Sequence, residues 1–492
     1  MTAALLFLKS SFLFITFKFT KLMTNSSTNK ISSFFRLFKD AVKGTEQDYT
    51  SLSIDKAIFM LSIPMILEMI MESLFAVVDV YWVSRLNDND AVATIGLTES
   101  VLTLVYSIAI GLSMGATAMV ARRVGEKDMK AASVAAAQAL YLGVGLSILI
   151  SIVGIFFSED ILRLMGASES LIENNVGYTR WMMSGNIVIV MLFLINAIFR
   201  GAGDASLAMR SLWLANILNI ALGPVFIFGV GPIPAFGVEG AAIATTIGRG
   251  TGVLYQIYHL VKGKGLIKLN ILNIPIRFDI MKKLVEVSAG GMMQFIIGSA
   301  SWIFLVRIMS DFGSAAVAGY TIAIRLIVFA ILPAWGMANA SATLVGQNLG
   351  AQQPDRAEKS VWRSAFLNMI FLATVGVFFI AFAKPILGFF TADPEVLHHG
   401  IRCLQIVCLG YGFYAYGMVI SQSFNGAGDT KTPTIINVVG FWLFQIPLAY
   451  MLAVVLEIGS PGVYAAISIA ESAMAVAAIL IFRKGKWKTV KI

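Results

Sequence analysis

From about residue 57 onward the apolar positions of this chain do not alternate with polar ones; they gather in long runs divided by short polar connections. Twelve such runs fall near 57–83, 91–119, 133–156, 176–199, 210–230, 237–261, 285–309, 316–343, 361–383, 401–423, 433–455 and 461–482. A helix needs roughly 20 apolar residues to cross hydrocarbon, and each run supplies them. Barrel strands would instead show short segments of period two. The pattern predicts an all-α polytopic membrane protein of twelve transmembrane helices.

Composition agrees, since 58% of the 492 residues are apolar and 13% are charged. Those values lie outside the range of water-soluble domains. Lys and Arg set the orientation, because connections that stay in the cytoplasm retain positive charge. Arg85, Arg163, Arg180, Lys384 and Arg402 fall on one side, and Arg249, Arg307 and Arg325 fall inside runs. The rest of the 37 basic residues lie in the tails and the even-numbered connections. Both termini are therefore expected in the cytoplasm, with the protein integral to the plasma (inner) membrane. The net charge of +9 suits a collar against anionic headgroups. No basic patch is interleaved with aromatics, so nucleic acid is not an expected partner.

Residues 1–50 read as a separate basic, cytoplasmic tail. Phe and Leu mix there with Lys9, Lys18 and Lys21, and no acid comes before Asp40. Lysines break the apolar stretch and no small-residue cleavage site follows, which argues against a cleaved signal peptide. Two readings stay open: an interfacial amphipathic segment, or a start placed too early with Met23 as the true one. Cys403 and Cys408 stand five apart within one run, a spacing that suits neither a disulfide nor a metal site.

Landmarks recur at a constant separation of 225 residues. Ala91-Val92-Ala93 is matched by Ala316-Val317-Ala318, and Gly111, Val120 and Gly125 by Gly336, Val345 and Gly350. Phe199 with Gly201-Ala202-Gly203-Asp204 is matched by Phe424 with Gly426-Ala427-Gly428-Asp429, and Gly237-Val238 by Gly462-Val463. One offset held over so long a stretch implies a duplication. Six spans per half is an even number, so the halves insert the same way up, as parallel repeats with a central cleft between them. The expected organisation is an N-terminal half over 51–261, a cytoplasmic linker over 262–284, a C-terminal half over 285–483 and a basic cytoplasmic tail over 484–492.

The repeated Gly-Ala-Gly-Asp reads as a helix end in which Gly adopts the left-handed conformation and Asp caps the next helix. A nucleotide site is excluded by the lack of a Walker lysine and of Gly-x-Gly-x-x-Gly after a strand. Gly248-Arg249-Gly250-Thr251-Gly252 reads as close helix packing rather than a phosphate cradle.

A charge in hydrocarbon is costly enough to mark a functional position. The first run carries Glu68, Glu72 and Asp79, which fall within an arc of about 40° on one helical face, and the second carries Glu99. Their counterparts at the offset are Met293, Ile297, Phe304 and Ile324. The C-terminal half thus keeps these helices without the acids and holds Arg307 and Arg325 instead. Glu68 is close enough to Pro64 to reach the cytoplasmic interface, and Glu99 is placed to form an ion pair with Arg325 or to face the cleft opposite it. Asp79, within Val77-Val78-Asp79-Val80-Tyr81-Trp82, has no basic neighbour in sequence, and a lone carboxylate there must hold a proton or a cation. Glu72, Glu99, Asn196 and Arg325 are the expected residues of a substrate or proton path.

At these residues the chain resembles the multidrug and toxic compound extrusion (MATE) family of cation-coupled exporters, over about residues 55 to 485. The resemblance rests on Ile63-Pro64, on Asp79 before Trp82-Val83-Ser84-Arg85-Leu86, and on Ala91-Val92-Ala93. It rests also on Val345-Gly346-Gln347-Asn348-Leu349-Gly350-Ala351 and on Gly428-Asp429-Thr430-Lys431-Thr432-Pro433. It implies that Asp79 is the proton or sodium site. In sodium-binding members that acid is joined by an Asn matched by Asn219, a backbone carbonyl matched by Ala241 and a Thr matched by Thr245. Those members carry a further Asp four residues after the Asn, where this chain has Gly223. Some other members carry acids in the seventh and tenth helices, where residues 287–309 and 401–426 hold neither Asp nor Glu.

The function expected is an antiporter, driven by protons or sodium, that exports amphipathic organic cations or drugs by alternating access. A flippase for lipid-linked saccharides of similar fold is the alternative; Arg307 and Arg325 favour it and the acid stripe opposes it. An enzyme is not expected, because the chain offers no nucleophile beside a base. Nor is a cofactor, or a metal beyond sodium at Asp79. Small cationic substrates and membrane lipids are the expected partners, with the chain a monomer.

Overall fold

Hydrocarbon offers no water to peptide groups, so each apolar run must satisfy its own hydrogen bonds and becomes a helix. The computed structural model describes residues 30–44, 47–86, 88–263, 265–269 and 274–492. Residues 1–29, on which most of the tail reading and the choice of Met23 rest, lie outside the described residues. A short helix, α1 (Lys30–Lys43), precedes the spans.

The first six spans are α2 (Ile54–Ser84), α3 (Asn89–Gly125), α4 (Met129–Leu164), the pair α5 (Glu169–Ser184) and α6 (Asn186–Ala202), α7 (Ala205–Phe228) and α8 (Val238–Lys262). The second six are α9 (Phe278–Ser310), α10 (Ser314–Gly350), α11 (Pro354–Gly388), the pair α12 (Pro394–Cys408) and α13 (Tyr411–Ala427), α14 (Lys431–Val455) and α15 (Ser460–Arg483). Among the described residues ten helices, with α5 and α6 counted as one, are long and apolar enough to cross a membrane, and the pair α12–α13, bent by 59°, makes eleven. The remaining run is α8. It has the length, 25 residues, but Glu239, Thr245, Thr246, Arg249, Thr251 and Gln256 lower its apolarity. The architecture is the expected all-α one of twelve helices in two repeats.

The backbone repeats more faithfully than the sequence. Gly203 and Gly428, mates at the offset of 225, both end a helix in the left-handed region, at φ 93° and 87°. The next residue closes the same turn in each half: Asp204 N donates to Phe199 O and Asp429 N to Phe424 O. Asp204 then accepts from Leu207 N, and Asp429 from Thr432 N. Lys127 and Gln352, also mates, take φ of 61° and 58°. Kinks recur at the mates Phe157 and Phe382. Pro385 accounts for the second kink, since its ring cannot donate to residue 381; the equivalent of Pro385 is Asp160, and nothing in the structure explains the first. Breaks recur at Gly185, between α5 and α6, and at its mate Gly410, between α12 and α13.

The chain divides into two compact units, one of residues up to 66 with 296–491, the other of residues 67–295 with Ile492. Both cuts fall inside a repeat's first helix, α2 or α9. The core of the 67–295 unit includes Leu112 and Ala116 of α3, Val190 and Leu194 of α6, Leu212 of α7 and Ala241 of α8. In the other unit Tyr320 of α10 stacks on Tyr464 of α15, with ring centroids 6.2 Å apart, and Phe482 stacks on Trp487 at 4.6 Å. Leu149, Phe156, Leu254, Ile303, Val377 and Leu443 stay exposed on outward faces, as side chains in contact with lipid do.

Small residues let the spans meet backbone to backbone. A Cβ on Gly201 of α6 would sit 3.0 Å from Thr117 O of α3. On its mate Gly426 of α13 it would fall well inside the contact radius of Ala342 O of α10, the mate of Thr117. Gly426→Ala should therefore destabilise by about 1–3 kcal/mol, the usual cost of overpacking, and Gly201→Ala by less. Thermal denaturation of the detergent-purified variants checks the order; equal melting points would refute it.

Candidate functional site

Two glycines on α8 decide how α7 approaches it. A Cβ on Gly248 would lie 2.6 Å from Ala215 O and 3.0 Å from the Asn219 Cβ, and one on Gly252 2.9 Å from the Ala215 Cβ. The close packing expected of this glycine cluster is what these two residues provide. It brings Asn219 of α7 against Thr245 of α8, with Asn219 Nδ2 donating to Thr245 Oγ1 at 2.8 Å. Both side chains are buried, and so is Ala241 one turn earlier on α8.

Across from them stands the acid face of α2. Glu68 is 1% exposed, and its Oε1 accepts from Arg200 Nη1 at 2.8 Å and from Asn196 Nδ2 at 3.0 Å. Glu68 is thus held by Asn196 and Arg200, from the last two turns of α6. Asn196 Oδ1 in turn accepts from Gln256 Nε2 of α8 at 2.6 Å. One turn on, both oxygens of Glu72 are engaged: Oε1 by Arg249 Nη2 at 3.2 Å and Oε2 by Asn216 Nδ2 at 2.9 Å. Arg249, 2% exposed, lies between the rings of Phe75 and Phe193, 5.6 and 5.9 Å from their centroids. The Tyr106 hydroxyl lies beside it. Arg249 Nε and Nη1 and Asn216 Oδ1 are buried without hydrogen-bond partners.

Asp79 ends this face and differs from the other two. Among the described residues it accepts no hydrogen bond and makes no ion pair. The charged groups whose fields reach it are Glu99 of α3 and Arg249 of α8; Tyr178 of α5 feels all three. The basic neighbour missing from the sequence around Asp79 is thus supplied by a helix about 170 residues away. Gly223 faces the Trp82 indole, whose Cδ1 would lie 3.6 Å from a Cβ there.

The structure therefore gathers Glu72, Asp79, Glu99, Asn196, Asn219, Ala241 and Thr245 in the 67–295 unit. Glu99 is exposed on α3, and Arg325 is exposed on α10 of the other unit. Sequence reasoning passed over Arg200, Asn216, Gln256 and Tyr106. Arg249 carried a signal, as an arginine inside a run, that was assigned to packing. Glu471, midway along α15, is a further acid inside an apolar run.

The MatE family profile matches residues 64–225 and 292–451. The chain is 26% identical over 442 residues to a probable multidrug resistance protein NorM of Thermotoga maritima, covering 88% of this chain and 93% of that one. It is 23% identical over 429 residues to the multidrug export protein MepA of Staphylococcus aureus, covering 87% and 93%. Its fold is similar to an outward-facing multidrug resistance transporter of the MOP superfamily, with TM-score 0.84 and 28% identity over 90% of this chain and 98% of that one.

Removing one partner of a buried ion pair leaves the other charge uncompensated and costs about 3–5 kcal/mol, whereas replacing both by apolar groups is often neutral. Arg249→Met should lower the melting temperature sharply, and Glu72→Met added to it should recover most of the loss. A double variant no more stable than Arg249→Met alone would show that the pair is not coupled.

Proposed function

Since the chain belongs to the MatE family of multidrug efflux transporters, we propose that it is a cation-coupled antiporter, in which a proton or sodium ion moving inward through the N-terminal half drives export of an amphipathic organic cation by alternating access. The observation that carries this reading is the inequality of the three acids on α2. Glu68 and Glu72 each have an arginine and an amide. Among the described residues Asp79 bonds to neither, and Arg249 reaches it only through its field. A carboxylate without a bonded cation among apolar helices is costly until it takes up a proton or a cation, and that uptake is what a gradient can drive.

The chemistry follows from the neighbours. Asn219 uses an N–H on Thr245 Oγ1, which leaves its carbonyl oxygen to accept a proton's hydrogen bond or to join a sodium shell with Asp79, Thr245 and the Ala241 carbonyl. The charge of Arg249 opposes a second positive charge at Asp79, so loading the site releases Arg249 from the field of Asp79 and leaves it to Glu72, which links ion binding to the packing of α2 on α8. Position 223 carries no acid, so a sodium ion there would take a water in its place. Glu72, Glu99, Asn196 and Arg325 belong to the path of proton or substrate. Residence in the inner membrane with both termini cytoplasmic follows from the distribution of Lys and Arg. The chain works as a monomer against lipid.

Asp79→Asn should reach the membrane in normal amount and lose gradient-driven efflux, because a group that is always neutral cannot alternate between loaded and empty states. Efflux of ethidium from reconstituted vesicles, under an imposed pH gradient or an imposed sodium gradient in separate experiments, measures the loss and names the ion. Wild-type efflux by Asp79→Asn would place coupling elsewhere.

Glu72→Gln should reduce efflux without abolishing it, since the amide keeps the bond to Asn216 but releases Arg249. Unchanged efflux of several cationic drugs would limit Glu72 to structural support.

A further inference from the structure

In the unit that contains α10 to α15, Glu471 is the acid set midway along a membrane-spanning helix. Its surroundings follow from the glycine contacts. Gly410 packs on Ser468, whose Oγ would lie 2.7 Å from a Cβ there, and Gly417 on Ala475 at 3.0 Å. That register runs α13 parallel to α15 and sets Tyr414 level with Glu471, whose charge it feels. On the other side Gly440 packs on Met474, and Gly462 on Ala453 N at 2.7 Å. That register runs α14 antiparallel and sets Gln445 level with the turn from Ser468 to Glu471.

Gln445 also points the right way. Residues 438–445 of α14 are wound as a π-helix, in which positions five apart share a face, so Gln445 shares the face of Gly440, which meets α15. Gln445 is 2% exposed, and its Oε1 has no hydrogen-bond donor. At the same depth Asn368 of α11 donates to Ala415 O and is left with a buried, unpaired Oδ1. Among the described residues this carboxylate has no ion pair and the two acceptors have no donor. They sit beside the break at Gly410, and discontinuous spans are where membrane proteins hold ions.

The repeat strengthens the case. At the offset of 225, Ala470 and Glu471 are the mates of Thr245 and Thr246. The C-terminal half therefore carries its acid on the turn of its last helix that corresponds to the Thr245 turn of α8. We propose that Glu471, with Tyr414 and Gln445, forms a second site for a monovalent cation, in the C-terminal half and separate from Asp79. The carboxylate supplies the charge, the amide oxygen a neutral ligand, and the tyrosine a ring and a hydroxyl. Sodium and the charged head of an organic cation share this chemistry.

The test uses the purified full-length protein carrying Asp79→Asn, with radioactive sodium and tritiated tetraphenylphosphonium as probes in equilibrium dialysis. One probe should still bind, and adding Glu471→Gln should remove that binding. Sodium alone would identify an inorganic ion, and tetraphenylphosphonium alone an organic one. Glu471→Asp should restore part of the binding, and Gln445→Leu should weaken it, each in protein that stays monodisperse. Binding of neither probe to Asp79→Asn, or binding unchanged by Glu471→Gln, overturns the second site. Because Asp79 is already neutral in these proteins, the outcome is independent of whether coupling resides there.

Discussion

The structure of the 67–295 unit depends on the need to compensate carboxylates that face an apolar interior. Three acids on one face of α2 would repel one another and resist burial. Two are answered by arginines from distant helices, Arg200 at the end of α6 and Arg249 within α8. The arginines in turn fix where those helices lie against α2. Amides add to each layer, Asn196 and Gln256 beside Glu68 and Asn216 beside Glu72, while Glu68 Oε2 stays buried without a donor. The polar content that makes α8 the least obvious span in the hydropathy pattern is a requirement of this network.

Close helix contact is the second requirement. A hydrogen bond such as Asn219 to Thr245 needs its two backbones near each other, and Gly248 and Gly252 remove the side chains that would hold α7 away. The glycines and the polar residues therefore work as one device, with the first setting the distance at which the second can act.

The two halves show how far a common backbone can diverge in chemistry. Kinks, left-handed turns and helix breaks recur at matching positions. Yet the mates of Asp79, Asn219, Thr245 and Arg249 are Phe304, Phe444, Ala470 and Met474. An apolar residue at each of these positions needs no counter-ion, so the C-terminal half could lose the whole network together. Its own acid, Glu471, stands on a different helix.

The helical runs, their number, the duplication and the acid stripe of the first run were legible in the sequence because each follows from simple facts: the thickness of hydrocarbon, a constant offset, the cost of a charge in a run. The turn at Gly203-Asp204 was legible for the same reason, since a left-handed glycine followed by a capping acid acts within a few residues. Which arginine answers which acid was not. Glu68 and Arg200 are 132 residues apart, and Glu72 and Arg249 are 177 apart. Nothing in the sequence around either partner encodes such a distance. Those pairings are decided by helix packing, which is a property of surfaces in three dimensions, and only the tertiary structure could show that, of the three acids on α2, Asp79 is the one with no hydrogen bond or ion pair among the described residues.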